Sequence, residues 1–192
     1  MINRLTELIW LRWPAVIVSL LLLSCKAEVK QSGAASNPFF QVSDYILDDY
    51  RRERSEKALF KTITINGQTD TLLLTDSLNA GETIIMDKLN LNNPDWIPKY
   101  KADTVFGVYG DADRYQYRAL DEDLPVQSIE VNMEKGTVSN IRVHNRRRSL
   151  INRHDQFLTY IPHTGYRLLS LQRMWNGDTL RMEVSAEFRM MR

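Results

Sequence analysis

His154-Asp155 is the only adjacent imidazole–carboxylate pair in this 192-residue chain. An imidazole oriented by a carboxylate is half of a nucleophilic triad, or the outer support of a metal ligand. On a strand, however, neighbouring residues point to opposite faces, so these two cannot orient each other there. Ser149, the nearest upstream hydroxyl, has no strand–turn–helix elbow around it, and the pair reads as a surface turn. His144 and His163 lie far from each other along the chain and make no ligand spacing. His163, between Pro162 and Thr164, reads as a loop residue. Asp121-Glu122-Asp123 has the charge to hold a cation, yet it precedes Leu124-Pro125 and reads as a solvated turn. Gly107 to Asp113 lacks the spaced oxygen donors and closing glutamate of a Ca²⁺ loop and reads as a turn. Arg146-Arg147-Arg148 is the one basic run; it reads as a hairpin loop, with lipid-headgroup or lipopolysaccharide phosphate as the alternative contact. No nucleophile elbow, phosphate loop, dinucleotide fingerprint or His-Glu-x-x-His helix is present. No catalytic residue, metal ligand or cofactor is therefore assigned.

The charge balance narrows the partners. Without residues 1–24 the chain carries 23 basic and 23 acidic side chains, which lacks the footprint of a nucleic-acid binder. The balance is uneven along the chain: 12 basic and 17 acidic over 25–123, against 11 and 6 over 124–192. Internal complementarity explains this most simply, and two faces of opposite charge is the alternative. A single cysteine excludes an internal disulfide and a multi-cysteine zinc site.

That cysteine closes an N-terminal address. Arg4 and Arg12 precede an apolar run from Pro14 to Ser24, eleven residues against the ~20 a membrane-spanning helix needs. Leu22-Leu23-Ser24-Cys25 resembles a bacterial lipobox. The resemblance implies cleavage between Ser24 and Cys25 and acylation of Cys25. Several acyl chains at ~0.8 kcal/mol per buried CH₂ make a stable anchor. Lys26 after the cysteine resembles the pattern sorted to an outer membrane. Residues 1–24 are thus expected to be a lipoprotein signal peptide, 25–37 the lipidated cysteine and a flexible tether, and 38–192 a single domain.

Within 38–192, Phe39, Val42, Ile46 and Tyr50 form one stripe of a helix from about Phe39 to Arg54. Asn66-Gly67 between two β-branched runs predicts a hairpin. A second helix is predicted from Asp76 or Ser77 to Leu89, with Leu78, Ile85 and Leu89 on one side. The remainder is β-patterned: Arg114–Ala119 with Tyr115 and Tyr117 on one face, alternating residues around the Glu134–Thr137 turn, Phe157–Ile161, and a hairpin across Asn176-Gly177. If Asn176 and Gly177 are its two turn residues, Leu169 faces Val184, Leu171 faces Met182, Arg173 faces Leu180 and Arg167 faces Ala186. Leu180, Met182, Val184 and Phe188 would point to the core. Short turns make neighbours antiparallel. The fold class is α+β: a curved antiparallel β-meander, as a half-barrel or partly closed, covered by one or two helices.

The lipobox, the N-terminal helix and the Asn-Gly hairpin stand with Asn92-Asn93-Pro94-Asp95-Trp96, Tyr100, Leu124-Pro125-Val126 and the final hairpin. Together they resemble outer-membrane or periplasmic lipoproteins of Bacteroidetes-type envelopes. The resemblance implies an envelope location, lipid-anchored at the outer membrane, and carries no activity. The expected function is a non-catalytic binding or accessory module for a hydrophobic or glycan-like ligand or a partner protein. A structural component of an envelope complex and an unrecognised hydrolase are the alternatives. Numerous aromatics, among them Trp96, Tyr100, Tyr160 and Trp175, suit either a ligand-lined cavity or ordinary sheet packing. A deep pocket would favour binding, and a filled core with an exposed apolar patch would favour assembly.

The lipobox gives the first prediction. Replacing Cys25→Ala should abolish metabolic labelling with a fatty-acid analogue and shift the protein from the membrane to the soluble fraction. Unchanged labelling would contradict the lipidation.

Overall fold

The computed structural model describes residues 38–75, 86, 88–108 and 110–191. The signal segment and tether, and nearly all of the second predicted helix, lie outside the described residues. Asn37–Arg192 form one compact unit.

The apolar stripe becomes helix α1 (Val42–Glu56). Phe39, Val42, Ile46 and Tyr50 are all buried, as their spacing requires, and Phe40 and Tyr45 pack beside them. Gln41 provides no side-chain cap. The entry to the helix is instead held from a distance: Phe39 N–H donates to Asn92 Oδ1 and Asn92 Nδ2 donates to Phe39 O, both at 3.0 Å. Tyr117 Oη accepts from Phe40 N–H at 2.8 Å. At the other end, buried Arg54 donates to the carbonyls of Lys57 and Leu74.

Among the described residues nine strands follow: β1 (Lys57–Ile65), β2 (Gln68–Leu74), β3 (Tyr100–Phe106), β4 (Ala112–Ala119), β5 (Val126–Glu134), β6 (Thr137–Arg148), β7 (Asn152–Ile161), β8 (Gly165–Met174) and β9 (Thr179–Met190). They form one open antiparallel sheet in the order β2-β1-β9-β8-β7-β6-β5-β4-β3. Strands β3 to β9 are a simple meander, and the β1–β2 hairpin adds to its far side through β1 and β9. The predicted α+β class, a meander under helical cover, is what the chain adopts, with β2 and β3 as the outermost strands among the described residues. Asn66 and Gly67 both take positive φ (48° and 89°), the primed turn their sequence calls for.

Helix α1 lies across the strands. The segment leading into α1 meets β4, where Phe39 packs on Tyr117, and Tyr50 within the helix meets Phe188 of β9 with ring centroids 5.6 Å apart. The core lies between them: Leu59, Ile129, Val131, Ile141 and Tyr160 are essentially inaccessible.

Four sequence expectations are corrected. Strand β3 falls where no strand was expected; it is an edge strand whose residues are mostly exposed, so it carries no apolar alternation. Arg146, Arg147 and Arg148 lie in β6, not in a hairpin loop, and His154-Asp155 lies in β7, not in a surface turn. Polar residues extend both strands because the β6 and β7 backbones pair without a break from Ile141 opposite Tyr160 through Arg148 opposite Arg153. The last hairpin is shifted by one residue. Leu168, not Leu169, faces Val184, Ser170 faces Met182, and Arg173 faces Thr179. Only Gly177 has positive φ, and Met174 N–H donates to Asp178 O, so three residues rather than two make the loop. The slip exchanges the faces of β8: Tyr166, Leu168 and Ser170 are buried, while Arg167 and Arg173 are exposed. On β9, Val184 and Ala186 are buried and Met182 and Phe188 pack against the core, but Leu180 is 37% exposed beyond the reach of the helix.

This register is testable. Leu168→Ala should cost ~2–5 kcal/mol in a chemical melt, the range for a truncated core leucine, and Leu169→Ala less than half as much. The reverse order would restore the two-residue turn.

Candidate functional site

The face of the sheet that α1 covers is not covered to its end. Where β5 begins and β6 ends, side chains alternate toward a cleft of about 400 Å³. Its floor is Val126, Asn145, Arg147, His154 and Gln156, and its wall is Lys88 and Trp96. Strand pairing sets the floor in rows: Asn145 opposite Gln156, Arg147 opposite His154. The wall is set by aromatic packing. Trp96 stacks on Tyr100 at 6.0 Å and 13°, and Tyr100 Oη donates to Val126 O at 2.9 Å. Burial pushes the Tyr100 phenol up to about 12, so it stays protonated and holds this bond. The Asn92-Asn93-Pro94 turn that clips the helix entry also leads into Trp96, where Trp96 N–H donates to Asn93 O.

The chemistry of the cleft is cationic and amide-rich. Lys88 and Arg147 supply positive charge, and no carboxylate lines it among the described residues. Asn145 Oδ1 is buried with no hydrogen-bond partner among the described residues, an acceptor aimed for a donor. His154 Nε2 sits 2.6 Å from Ser170 Oγ. This is the spacing of a nucleophile and its base. Ser170 is buried, however, and Asp155 is on the opposite face of the sheet, so the imidazole has no carboxylate behind it from its neighbour. Burial first, and Arg147 second, hold the His154 imidazole below its usual value.

Asp155 serves the other face. It accepts from Arg146 at 2.8 Å, Arg153 at 2.9 Å and His144 at 3.0 Å. Burial alone would raise its carboxyl, but hydrogen bonds from Arg146, His144 and Arg153 outweigh that and hold it far below the carboxylate range. His144 lies flat on Phe157, 4.4 Å between centroids. The arginine run and the His-Asp pair, neighbours only in sequence terms, thus divide between two faces: Arg147 and His154 to the cleft, Arg146 and Asp155 away from it.

His163 is in the β7–β8 turn, with φ 61°, and it joins two residues that sequence reading passed over. Its Nδ1 is 2.7 Å from Glu53 Oε1 and its backbone N–H donates to Asp49 Oδ2 at 3.0 Å. Asp49 and Glu53 stand one helical turn apart on α1. Asp49, Glu53 and His163 have ligand atoms within 4.8 Å of one another and are the group with metal-ligand chemistry among the described residues. Cations already occupy it: Lys57 Nζ lies 2.6 Å from Glu53 Oε2, and Arg52 bonds Asp49. Tyr160 Oη donates to Asp49 at 2.7 Å, its phenol pushed far up by burial and by that carboxylate. Burial would raise Glu53, but Lys57 and His163 outweigh it and hold it low. The arrangement is a latch tying α1 to the β7–β8 turn. The spacing Asp49-x-x-x-Glu53 was visible in the sequence; its partner 110 residues away was not.

The Asp121-Glu122-Asp123 turn is exposed, with Asp123 N–H donating to Asp121 Oδ1. Of the expected Gly107–Asp113 turn, Gly107 N–H donates to Asp111 O and closes the β3–β4 connection, while Ala112 and Asp113 already belong to β4. Cys25 and Ser24 lie outside the described residues. Comparison with known proteins finds no matching family, no matching curated protein and no matching solved structure. No helix among the described residues is long and apolar enough to cross a membrane.

The environment of His154 has a signed pH consequence. Folding favours its neutral form, so its contribution is complete above the unfolded value of about 6.5 and is lost as pH falls through that value to the lower folded one. Between pH 7.5 and 5.5 the wild-type chain should lose more stability than His154→Gln in parallel urea melts. Equal slopes would contradict the burial of a neutral imidazole.

Proposed function

We propose that the chain is an envelope-tethered, non-catalytic binding module, anchored through Cys25, whose ligand occupies the cleft between the Lys88–Trp96 wall and the β5–β7 floor. The observation that carries this reading is the composition of the cleft: an indole wall, two cations, two amides and a buried unpaired amide oxygen. An apolar lipid tail would leave those polar groups without partners, at a cost of ~1–3 kcal/mol for each buried group. A glycan-like ligand with hydroxyls and a negative charge would satisfy them, with a sugar face on Trp96. The glycan-like class is therefore favoured over the purely hydrophobic one. The non-catalytic reading rests on the buried Ser170 hydroxyl, which a substrate carbonyl cannot approach, and on the separation of Asp155 from His154.

The experiment is native mass spectrometry of mature protein purified gently from its own membranes, with a hydrolase screen alongside. A bound adduct is expected, reduced at least tenfold in Trp96→Ala and in Arg147→Glu while the fold is kept. An adduct indifferent to both substitutions would move the site elsewhere. A bare protein crosslinked to one envelope protein would favour the assembly role, and turnover lost on His154→Ala would make the chain an enzyme.

A further inference from the structure

The face of the sheet away from α1 has an imbalance that its register makes explicit. Side chains that pair opposite the buried set share this outer face. From β4 to β9 it carries ten arginines and no lysine, against five carboxylates: Glu130, Glu134, Asp155, Glu183 and Glu187. Six of the arginines have partners. Arg146 and Arg153 share Asp155, Arg148 reaches Glu122, Arg181 pairs with Glu183, Arg189 with Glu187, and Arg118 donates to Gln116. Arg114, Arg142, Arg167 and Arg173 are exposed, with no carboxylate in ion-pair distance among the described residues.

Within this face the register sets arginines directly against one another. Arg148 is opposite Arg153, and Arg153 is opposite Arg173, so three adjacent strands present guanidinium groups in one row. Like charges directly opposite are destabilising in a sheet, and nothing in the folding of β6–β8 requires them. A shallow hollow of about 190 Å³ lies beside the row, between Arg153, Asp155, Leu171 and Arg173, with the Asp155 carboxylate already bonded to Arg146, Arg153 and His144. Guanidinium forks match phosphate oxygens in geometry, and arginine rather than lysine is the residue for such recognition. Phe157 and Ile161 emerge on the same face, 41% and 40% exposed, giving apolar points among the charges.

The geometry points to this outer face as a docking surface for an anionic phospholipid membrane, with the Arg148–Arg153–Arg173 row seated on headgroup phosphates. A row of guanidinium groups on three adjacent strands is complementary to a surface of phosphate anions. The contact is independent of the lipid on Cys25 and of the cleft, which opens on the other face. It is electrostatic, so it weakens with salt.

The test uses residues 25–192 with Cys25→Ser, which keeps the compact unit and removes the anchor. Sedimentation with vesicles of 30% phosphatidylglycerol in phosphatidylcholine should carry the chain down, and pure phosphatidylcholine should not. Arg153→Glu with Arg173→Glu should weaken binding at least tenfold. The milder Arg173→Gln, at an exposed unpaired residue, should weaken it about threefold without affecting the fold. Arg51→Glu on α1 should bind like the parent. Binding to neither vesicle, equal binding to both, or insensitivity to the Arg173 variants would overturn the proposal. Full displacement by millimolar inorganic phosphate would also overturn it, because the row would then be a site for the free anion.

Discussion

Among the described residues, helix α1, with Met86, Leu89 and Leu91 beside it, must dry one face of a nine-stranded sheet, and most of this structure follows from that limit. A meander of this size has more inner surface than 15 helical residues can cover. Helix α1 therefore runs across the strands rather than along them, and the dry core is the band beneath it. Its placement is fixed at both ends by polar contacts rather than by end caps. Asn92 and Tyr117 hold the entry, and the Asp49–Tyr160–His163 latch holds the second half to the β7–β8 turn. Along β7, Tyr160 at the latch and His154 at the cleft are six residues apart, about 20 Å of strand. Between those two points lies the covered core. Beyond it, the inner face is open, and there the residues change from Leu158 and Tyr160 to His154 and Gln156.

The same limit explains the partition of charge. Two carboxylates of α1, Asp49 and Glu53, are drawn into the latch, where each is met by a cation, and Asp49 also by a hydroxyl. Arginines of the second half of the chain alternate outward on strands whose inner positions are apolar. Among the described strands the arginines of the second half gather on the outer face, and Arg148 reaches back to Glu122 of the first half. Asp155 is the point at which that outer face is partly neutralised, one carboxylate serving three cationic or imidazole partners.

The fold was legible where apolar periodicity is strong. The stripe through Phe39, Val42, Ile46 and Tyr50 and the turn at Asn66-Gly67 carry their own geometry in their residue types. Strand β3 was not legible because an exposed edge needs no apolar pattern. The final hairpin failed by one residue because Asn-Gly suits either a two-residue primed turn or a three-residue loop with glycine at its last position. The choice is made by the packing of Leu168 and Tyr166 against the core, which no dipeptide records. The cleft was legible only in parts: Trp96 and His154 stand out by type, but Asn145, Gln156 and Arg147 join them through strand register alone. Asp49 and Glu53 carry no signal of their own in the sequence, because the turn bearing His163 reaches them only in the fold.

The central claim is that α1 covers the face bearing Tyr166, Leu168 and Ser170, leaving Arg167, Leu169 and Arg173 outside. Thiol labelling measures this directly. In a Cys25→Ser background, Leu168→Cys and Leu169→Cys proteins are exposed in turn to a water-soluble maleimide under native conditions. The account predicts rapid labelling of the chain carrying Leu169→Cys and protection of the one carrying Leu168→Cys until denaturant is added. Protection at 169 with free reaction at 168 would contradict it, because the faces of β8 would then be exchanged and the outer row would lose Arg173.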